Sequence, residues 1–101
     1  MNWTIRYHQD VEDDLESITA SAARRILRAI DTKLTKAPLQ YGAPLSGNLS
    51  TFRKLRIGDY RLVYQVFNAE VTVYVLAVGP RRNKEIYNAA SKRVGQDPPD
   101  K

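Results

Sequence analysis

The chain has 101 residues, 27% charged and 43% hydrophobic, enough for one globular domain with a single core and too few for two. It holds no cysteine, which excludes disulfides and thiolate metal sites, and no apolar run approaches a membrane span. The formal net charge is +5, and residues 1–10 lack the apolar core of a signal peptide, so a cytosolic location is expected.

In chain order, residues 2–7 alternate with Trp3, Ile5 and Tyr7 on one side, the pattern of a half-buried strand. Asp10 opens a helical stretch. Val11, Leu15 and Ile18 fall at i, i+4, i+7 there, and acidic residues crowd the first turn, where the helix dipole favours them. A second helix is predicted over 20–36 on the stripe Ala23, Ile26, Leu27, Ile30 and Leu34, with Pro38 as the stop. The two helices are joined closely, as in a helical hairpin. Pro38, Gly42, Pro44 and Gly47 make 38–50 a loop without regular structure.

Three strands come next, over 52–57, 60–67 and 71–78. Their separators, Gly58-Asp59 and Asn68-Ala69-Glu70, suit hairpin turns, with Gly58 at the first central position of a type II′ turn. Gly79-Pro80 breaks the third strand, and a basic helix with Asn83 as N-cap runs from about 83 to 93. One domain, 1–94, is expected, with 95–101 as a frayed tail. The fold class is α+β: an N-terminal strand, a helical hairpin, then a three-stranded antiparallel meander in one small twisted sheet, closed by the C-terminal helix.

Charge is unevenly distributed along this plan. Residues 1–50 carry six Lys/Arg and six Asp/Glu, whereas 51–93 carry nine against three. Such asymmetry points to a polyanionic partner, the alternative being a basic surface with none. A two-residue turn at Gly58-Asp59 pairs Ile57 with Tyr60, Arg56 with Arg61 and Lys54 with Val63. Strand alternation then puts Leu55, Ile57, Tyr60, Leu62, Tyr64 and Val66 on a core face, joined by Val71, Val73, Val75 and Ala77. The other face holds Lys54, Arg56, Arg61, Val63 and Gln65, with Thr72, Tyr74 and Leu76 beside them. Like charges opposed across strands are destabilising by roughly 0.2–1 kcal/mol, and an anionic ligand would turn that repulsion into attraction. A solvated face with splayed side chains is the alternative. Arg81 and Arg82 come after the third strand. Tyr87 is either a core aromatic beside Ile86 or an exposed stacking platform for a base. His8 is the lone histidine and reads as incidental, and no group of residues has metal-site spacing. Any RNA cleavage would have to use Lys, Arg and Tyr.

The run KLRIGDYRLVYQV, followed by VYVLAVGPRRNKEIYNAASKR, resembles the RelE toxins of bacterial and archaeal toxin–antitoxin systems. The resemblance spans residues 2–93. GDYRLVY is shared with the wider superfamily that includes the ParE toxins, and VGPRRNKEIY is closer to the RelE branch. It implies a RelE-like fold of the microbial RNase type and a metal-independent, cofactor-free mRNA endoribonuclease that enters the ribosomal 30S A site. There a ribose 2′-OH would attack the adjacent phosphate, leaving a cyclic phosphate and a free 5′-OH and inhibiting translation.

Carried over residue by residue, Lys54 would be the general base or its electrostatic partner, and Arg61 would stabilise the charged transition state. Arg81 would serve as acid at the leaving 5′-oxygen, and Tyr87 would stack on or orient the cut nucleotide. Arg56, from the face argument, would bind phosphate with Arg82 and Lys84. A lysine acts as base only if neighbouring cations and desolvation bring its pKa towards neutrality. An arginine stabilises developing charge without giving up a proton. The sequence departs from the family where well-known members have a second lysine two residues before Lys54; here that residue is Phe52, and Arg53 points to the opposite face.

The resemblance also implies a cognate RelB-like antitoxin that covers the basic face and docks on apolar edges of the first helices. Operator DNA would be met only through the antitoxin complex, and no membrane is involved. Two other readings stand beside it. One is a ParE-like toxin that inhibits DNA gyrase by protein contact without nuclease activity; the other is an RNA-binding module without toxicity.

Overall fold

The computed structural model describes residues 2–44, 52–80 and 85–93. Its elements are β1 (Thr4–Tyr7), α1 (Val11–Glu16), α2 (Ala20–Ala29), a π-helical turn (Ile30–Leu34), β2 (Ala43–Pro44), β3 (Phe52–Ile57), β4 (Tyr60–Phe67), β5 (Thr72–Pro80) and α3 (Glu85–Arg93). All five strands join one mixed sheet in the order β1-β5-β4-β3-β2, with β1 parallel to β5 and the other pairs antiparallel. The expected meander is therefore its centre, flanked on either edge by a strand from the first half of the chain.

The second helix obeys its local signals and then changes its winding. Thr19 caps it, its Oγ1 accepting from the Ala22 N–H at 3.1 Å. The π turn after Ala29 has a physical reason in the sequence. An α-helix advances about 100° per residue, so Leu34 would drift well off the face that buries Ile26. One wide turn, closed by the Thr35 N–H to the Ile30 carbonyl at 3.1 Å, rotates Leu34 back to the core, and both Ile30 and Leu34 are buried. The buried face is thus Ala22, Ile26, Ala29, Ile30 and Leu34; Leu27, expected in the stripe, is 42% exposed.

The loop expected to lack regular structure contains a two-residue strand. Ala43 pairs with Lys54 and Pro44 with Arg53 at the outer edge, where a proline costs no ladder hydrogen bond. Two side chains hold the approach to it. The Tyr64 hydroxyl lies 2.7 Å from the carbonyl oxygens of both Pro38 and Tyr41, to which it donates in a shared bond. Arg53 donates to the carbonyls of Leu39, Tyr41 and Gly42. Gly42, at φ 74°, has no room for a side chain: a Cβ would fall 2.6 Å from the Lys54 carbonyl oxygen.

β5 differs from expectation at both ends. It starts at Thr72 because Val71 sits in the turn with φ 51°, and it continues through Gly79 and Pro80, which pair with Arg61 and Tyr60. β1 accompanies β5 only as far as Val75, so the missing N–H of Pro80 has no strand partner to lose on that side. A bulge separates the pairs Val63–Ala77 and Tyr64–Val75, leaving Leu76 as the extra residue.

Beyond the bulge the side-chain parity of β5 is inverted, which corrects the predicted faces. Leu55, Ile57, Leu62, Tyr64, Val73 and Val75 pack under α1, α2 and the π turn as expected, but Val78 joins them and Ala77 does not. On the reverse face, Phe52, Val63, Tyr74, Leu76 and Ala77 form a second core with Ile86 and Ala90 of α3. The expected N-cap Asn83 and the tail 95–101 lie outside the described residues.

Candidate nucleic-acid interface

The β3–β4 hairpin has the expected register: Ile57 opposite Tyr60, Arg56 opposite Arg61, Leu55 opposite Leu62, Lys54 opposite Val63. Gly58 has φ 59°, and Asp59 is not among the positive-φ residues, the φ combination of a type II′ turn. The turn is crowded by cations from both sides of the sheet. Arg56 Nε donates to the Gly58 carbonyl at 3.4 Å, and a Cβ on Gly58 would lie 2.8 Å from Nη1 of Arg25 in α2.

Lys54, Arg56 and Arg61 consequently share the sheet face turned away from α1 and α2. Residues two apart on a strand stand roughly 6.5–7 Å apart, and directly opposed Cβ atoms roughly 4.5–5.5 Å. Three cationic side chains thus fall within the span of one or two phosphodiester units. Arg56 is exposed, and Lys54 and Arg61 are half-buried. Arg61 faces Gly79 on β5, and a Cβ there would be 3.6 Å from Ile86 Cβ, so the first turn of α3 borders the cationic face.

Arg81, Arg82 and Lys84 lie outside the described residues. Tyr87 belongs to α3, but its side chain is also outside them, so both of its readings stand. β5 ends at Pro80, opposite Tyr60. Phe52 is 2% exposed and packs in the α3-side core, across from Gln65. An ammonium at that depth would need a buried partner, so Phe52 serves packing where the family has charge. Arg53 points away from the cationic face, as strand alternation requires. It offsets part of the effect of burial, which pushes the Tyr64 hydroxyl above the usual tyrosine range.

Two further groups have structural duties. Arg93, on the helix expected to be basic, donates to Asp14 Oδ2 and to the Leu76 carbonyl, both at 2.8 Å, and to Asp14 Oδ1 at 3.2 Å. Asp14 also accepts from the Val78 N–H at 3.0 Å, so one ion pair ties α1, β5 and α3 together. The hydrogen bonds to Asp14 hold the Arg93 guanidinium above its already high value, against the opposing effect of burial. His8 is buried, and its Nδ1 accepts from the Asp10 N–H at 3.0 Å, which makes it a cap for the entry to α1. No three His, Asp or Glu side chains gather at metal-binding distance among the described residues.

On the opposite side of the molecule a groove of about 390 Å³ runs between the end of β1 and the first two helices, lined by Tyr7, Val11, Leu15 and Leu27 with Glu12 at its rim. Tyr7 is 45% exposed there. These are the apolar edges of the first helices expected to meet a partner. No described helix is long and apolar enough to cross a membrane.

A family model described as the ParE toxin of the type II toxin–antitoxin system parDE matches residues 5–85. The chain belongs to the RelE/ParE toxin superfamily. Within that superfamily it is 51% identical over 41 residues to the mRNA interferase toxin RelE of Escherichia coli K12, a match that spans 43% of that protein and 41% of this chain. A putative RelE-like toxin of E. coli is 27% identical over 95 residues, covering 93% of this chain and 99% of its own. Toxin RelG of Mycobacterium tuberculosis is 28% identical over 81 residues. Among solved structures, a chain of the M. tuberculosis RelBE2 toxin–antitoxin complex superposes with a TM-score of 0.76 at 27% identity, covering 80% of this chain and 100% of that one. A mutant of E. coli RelE in the free state gives 0.74 at 24% identity, covering 93% of this chain and 99% of that one, a likeness of fold. The five-stranded mixed sheet with helices on one face and a short C-terminal helix on the other is thus the superfamily's fold.

Proposed function

We propose that this toxin is a ribosome-dependent mRNA endoribonuclease that acts in the cytosol. The observation that carries the reading is the hairpin register, which gathers Lys54, Arg56 and Arg61 on one face at a cost a binding-free sheet would avoid. The partial match to an mRNA interferase supports the same chemistry.

In the proposed reaction the ribose 2′-OH loses its proton to Lys54, or to a base that Lys54 assists. The O2′–P bond forms and the P–O5′ bond breaks. Arg61 stabilises the extra negative charge of the pentacoordinate phosphorus, and Arg81, as general acid, gives the leaving 5′-oxygen its proton and is reprotonated from solvent. The products are a 2′,3′-cyclic phosphate and a 5′-OH. Tyr87 orients the cut nucleotide, and Arg56, Arg82 and Lys84 hold flanking phosphates. The ribosome supplies alignment, which in favourable cases lowers a barrier by roughly 7–11 kcal/mol. A RelB-like antitoxin neutralises the toxin, with the groove at Tyr7, Leu15 and Leu27 as its apolar anchorage.

The test is cleavage of mRNA on programmed ribosomes in a purified translation system, comparing the parent with Arg61→Ala and Arg81→Ala. Cuts within the A-site codon that require the ribosome and vanish in both variants are the expected result. A second reading has its own support, since the matching family model is a ParE model and Phe52 occupies a lysine position. Intact mRNA with growth still arrested on expression would move the assignment to DNA gyrase or another protein target.

A further inference from the structure

Helix α2 carries three arginines within five residues, Arg24, Arg25 and Arg28, all exposed. At about 100° per residue they fall on one arc of about 100°, away from the buried Ala22, Ile26 and Ala29. Leu27 lies on the other flank, towards the apolar groove. The helix is therefore two-sided outside its core stripe.

Three features separate this arc from an ordinary solvated face. Arg24 and Arg28 stand at i, i+4, a like-charge spacing that weakens a helix. Among the described residues none of the three has a carboxylate within ion-pair distance, although the acidic helix α1 packs beside α2 and supplies Asp14 to Arg93. Arg28 at least complements the negative end of the helix dipole; Arg24 and Arg25 have no such service. The third feature is position. The Arg25 guanidinium reaches the β3–β4 turn at Gly58, whose carbonyl is bonded by Arg56 from the other face. The arc and the sheet face thus meet at the hairpin tip as one cationic surface bent around it.

We propose that the Arg24, Arg25 and Arg28 arc binds the phosphate backbone of folded RNA in the ribosome, outside the strand that is cut. It rests on the ribosome-directed reading above. A surface bent around a hairpin cannot track one short strand into the site. It suits a second, neighbouring stretch of backbone, which arginines grip through bidentate contacts without reading sequence. The arc anchors the toxin while the sheet face engages the message.

The experiment measures binding of the full-length chain to purified vacant 70S ribosomes across a salt series, for the parent, R24Q/R25Q/R28Q and the lysine triple R24K/R25K/R28K, with helicity checked by circular dichroism. The glutamine triple is expected to bind about tenfold or more weakly near 0.1 M salt. Its plot of log affinity against log salt should be shallower by about 2–3, at roughly 0.7–0.9 for each phosphate no longer neutralised. Cleavage at saturating ribosome should stay within about twofold of the parent, because α2 packs on the sheet face opposite the one that carries Lys54 and Arg61, and the lysine triple should retain most of the affinity. An unchanged affinity and slope in the glutamine triple overturns the proposal. So does a loss confined to binding of an acidic antitoxin with ribosome affinity intact. If the parent binds ribosomes through the arc yet cuts no message, the nuclease reading fails and the arc's assignment stands.

Discussion

Two regions of the molecule treat arginine in opposite ways. Arg93 is enclosed by Asp14 and the Leu76 carbonyl, and each of these bonds joins elements of the fold. At the hairpin, Arg56 and Arg61 are placed directly across from one another, and Arg25 is brought up to the same turn. Arg93 serves architecture, and there the chain supplies a carboxylate and a carbonyl at bonding distance. Arg56 and Arg61 are set against their own kind across the hairpin, an opposition that an anionic ligand would relieve. Basic composition alone does not tell these apart, since Arg93 and Arg61 are the same residue type in the same half of the sequence.

The sharpest attempt to break the contrast is Arg61→Ala. If the hairpin cations act on a developing charge, this change should lower ribosome-dependent cleavage by about 100-fold or more, comparable to loss of an oxyanion donor, with the urea midpoint nearly unchanged. Asp14→Ala should do the reverse. It strands Arg93 and removes the acceptor of the Val78 N–H, so equilibrium unfolding should show a loss of about 2–3 kcal/mol while the purified, folded fraction cleaves normally. Next in size is Gly58→Ala, expected to lower stability by about 1–2 kcal/mol. It forces a Cβ into a left-handed position and against Arg25, and thermal melts of Gly58→Ala with and without Arg25→Ala would apportion the two causes. The smallest effect carries the most telling sign. Arg56→Gln should raise stability by about 0.2–1 kcal/mol while weakening RNA binding, and the gain should fade in 1 M salt, where the Debye length falls to about 3 Å. A destabilised Arg56→Gln would mean that the opposed pair has a structural purpose, and the contrast with Arg93 would collapse.

Much of the hairpin is legible in the sequence because its signals are local. Gly58-Asp59 between two alternating runs sets the register, and the register sets which cations share a face. The same alternation sends Arg53 away from them. What escapes the sequence depends on contacts distant along the chain. Pairing of Ala43 and Pro44 with β3 rests on Tyr64 and Arg53 reaching back to the carbonyls of residues 38–42, and nothing within 38–50 announces it. The parallel pairing of β1 with β5 joins residues about 68 positions apart, and a short alternating strand does not name its neighbour. Arg93 reads as part of a basic helix because its partner Asp14 sits in the first acidic turn, where the helix dipole already accounts for a carboxylate. Arg25 is hidden for a similar reason: on a helix it looks solvated, and only the folded hairpin turn brings a second element to it.

The π turn after Ala29 and the bulge at Leu76 each absorb a single supernumerary residue, one in a helix and one in a strand. Deleting Leu76 would make β5 regular and leave Ala77 opposite Val63 and Val78 opposite Leu62, each on its present face. Losing one of Asp31, Thr32 or Lys33 would restore a plain helix and leave Leu34 on the core face, about 20° from Ile26 at about 100° per residue. Substitution scans would report both segments as tolerant wherever size and polarity are matched. A scan of one-residue deletions would find these two segments the tolerant points of their elements, since a residue lost elsewhere in α2 or β5 shifts the phase of everything beyond it.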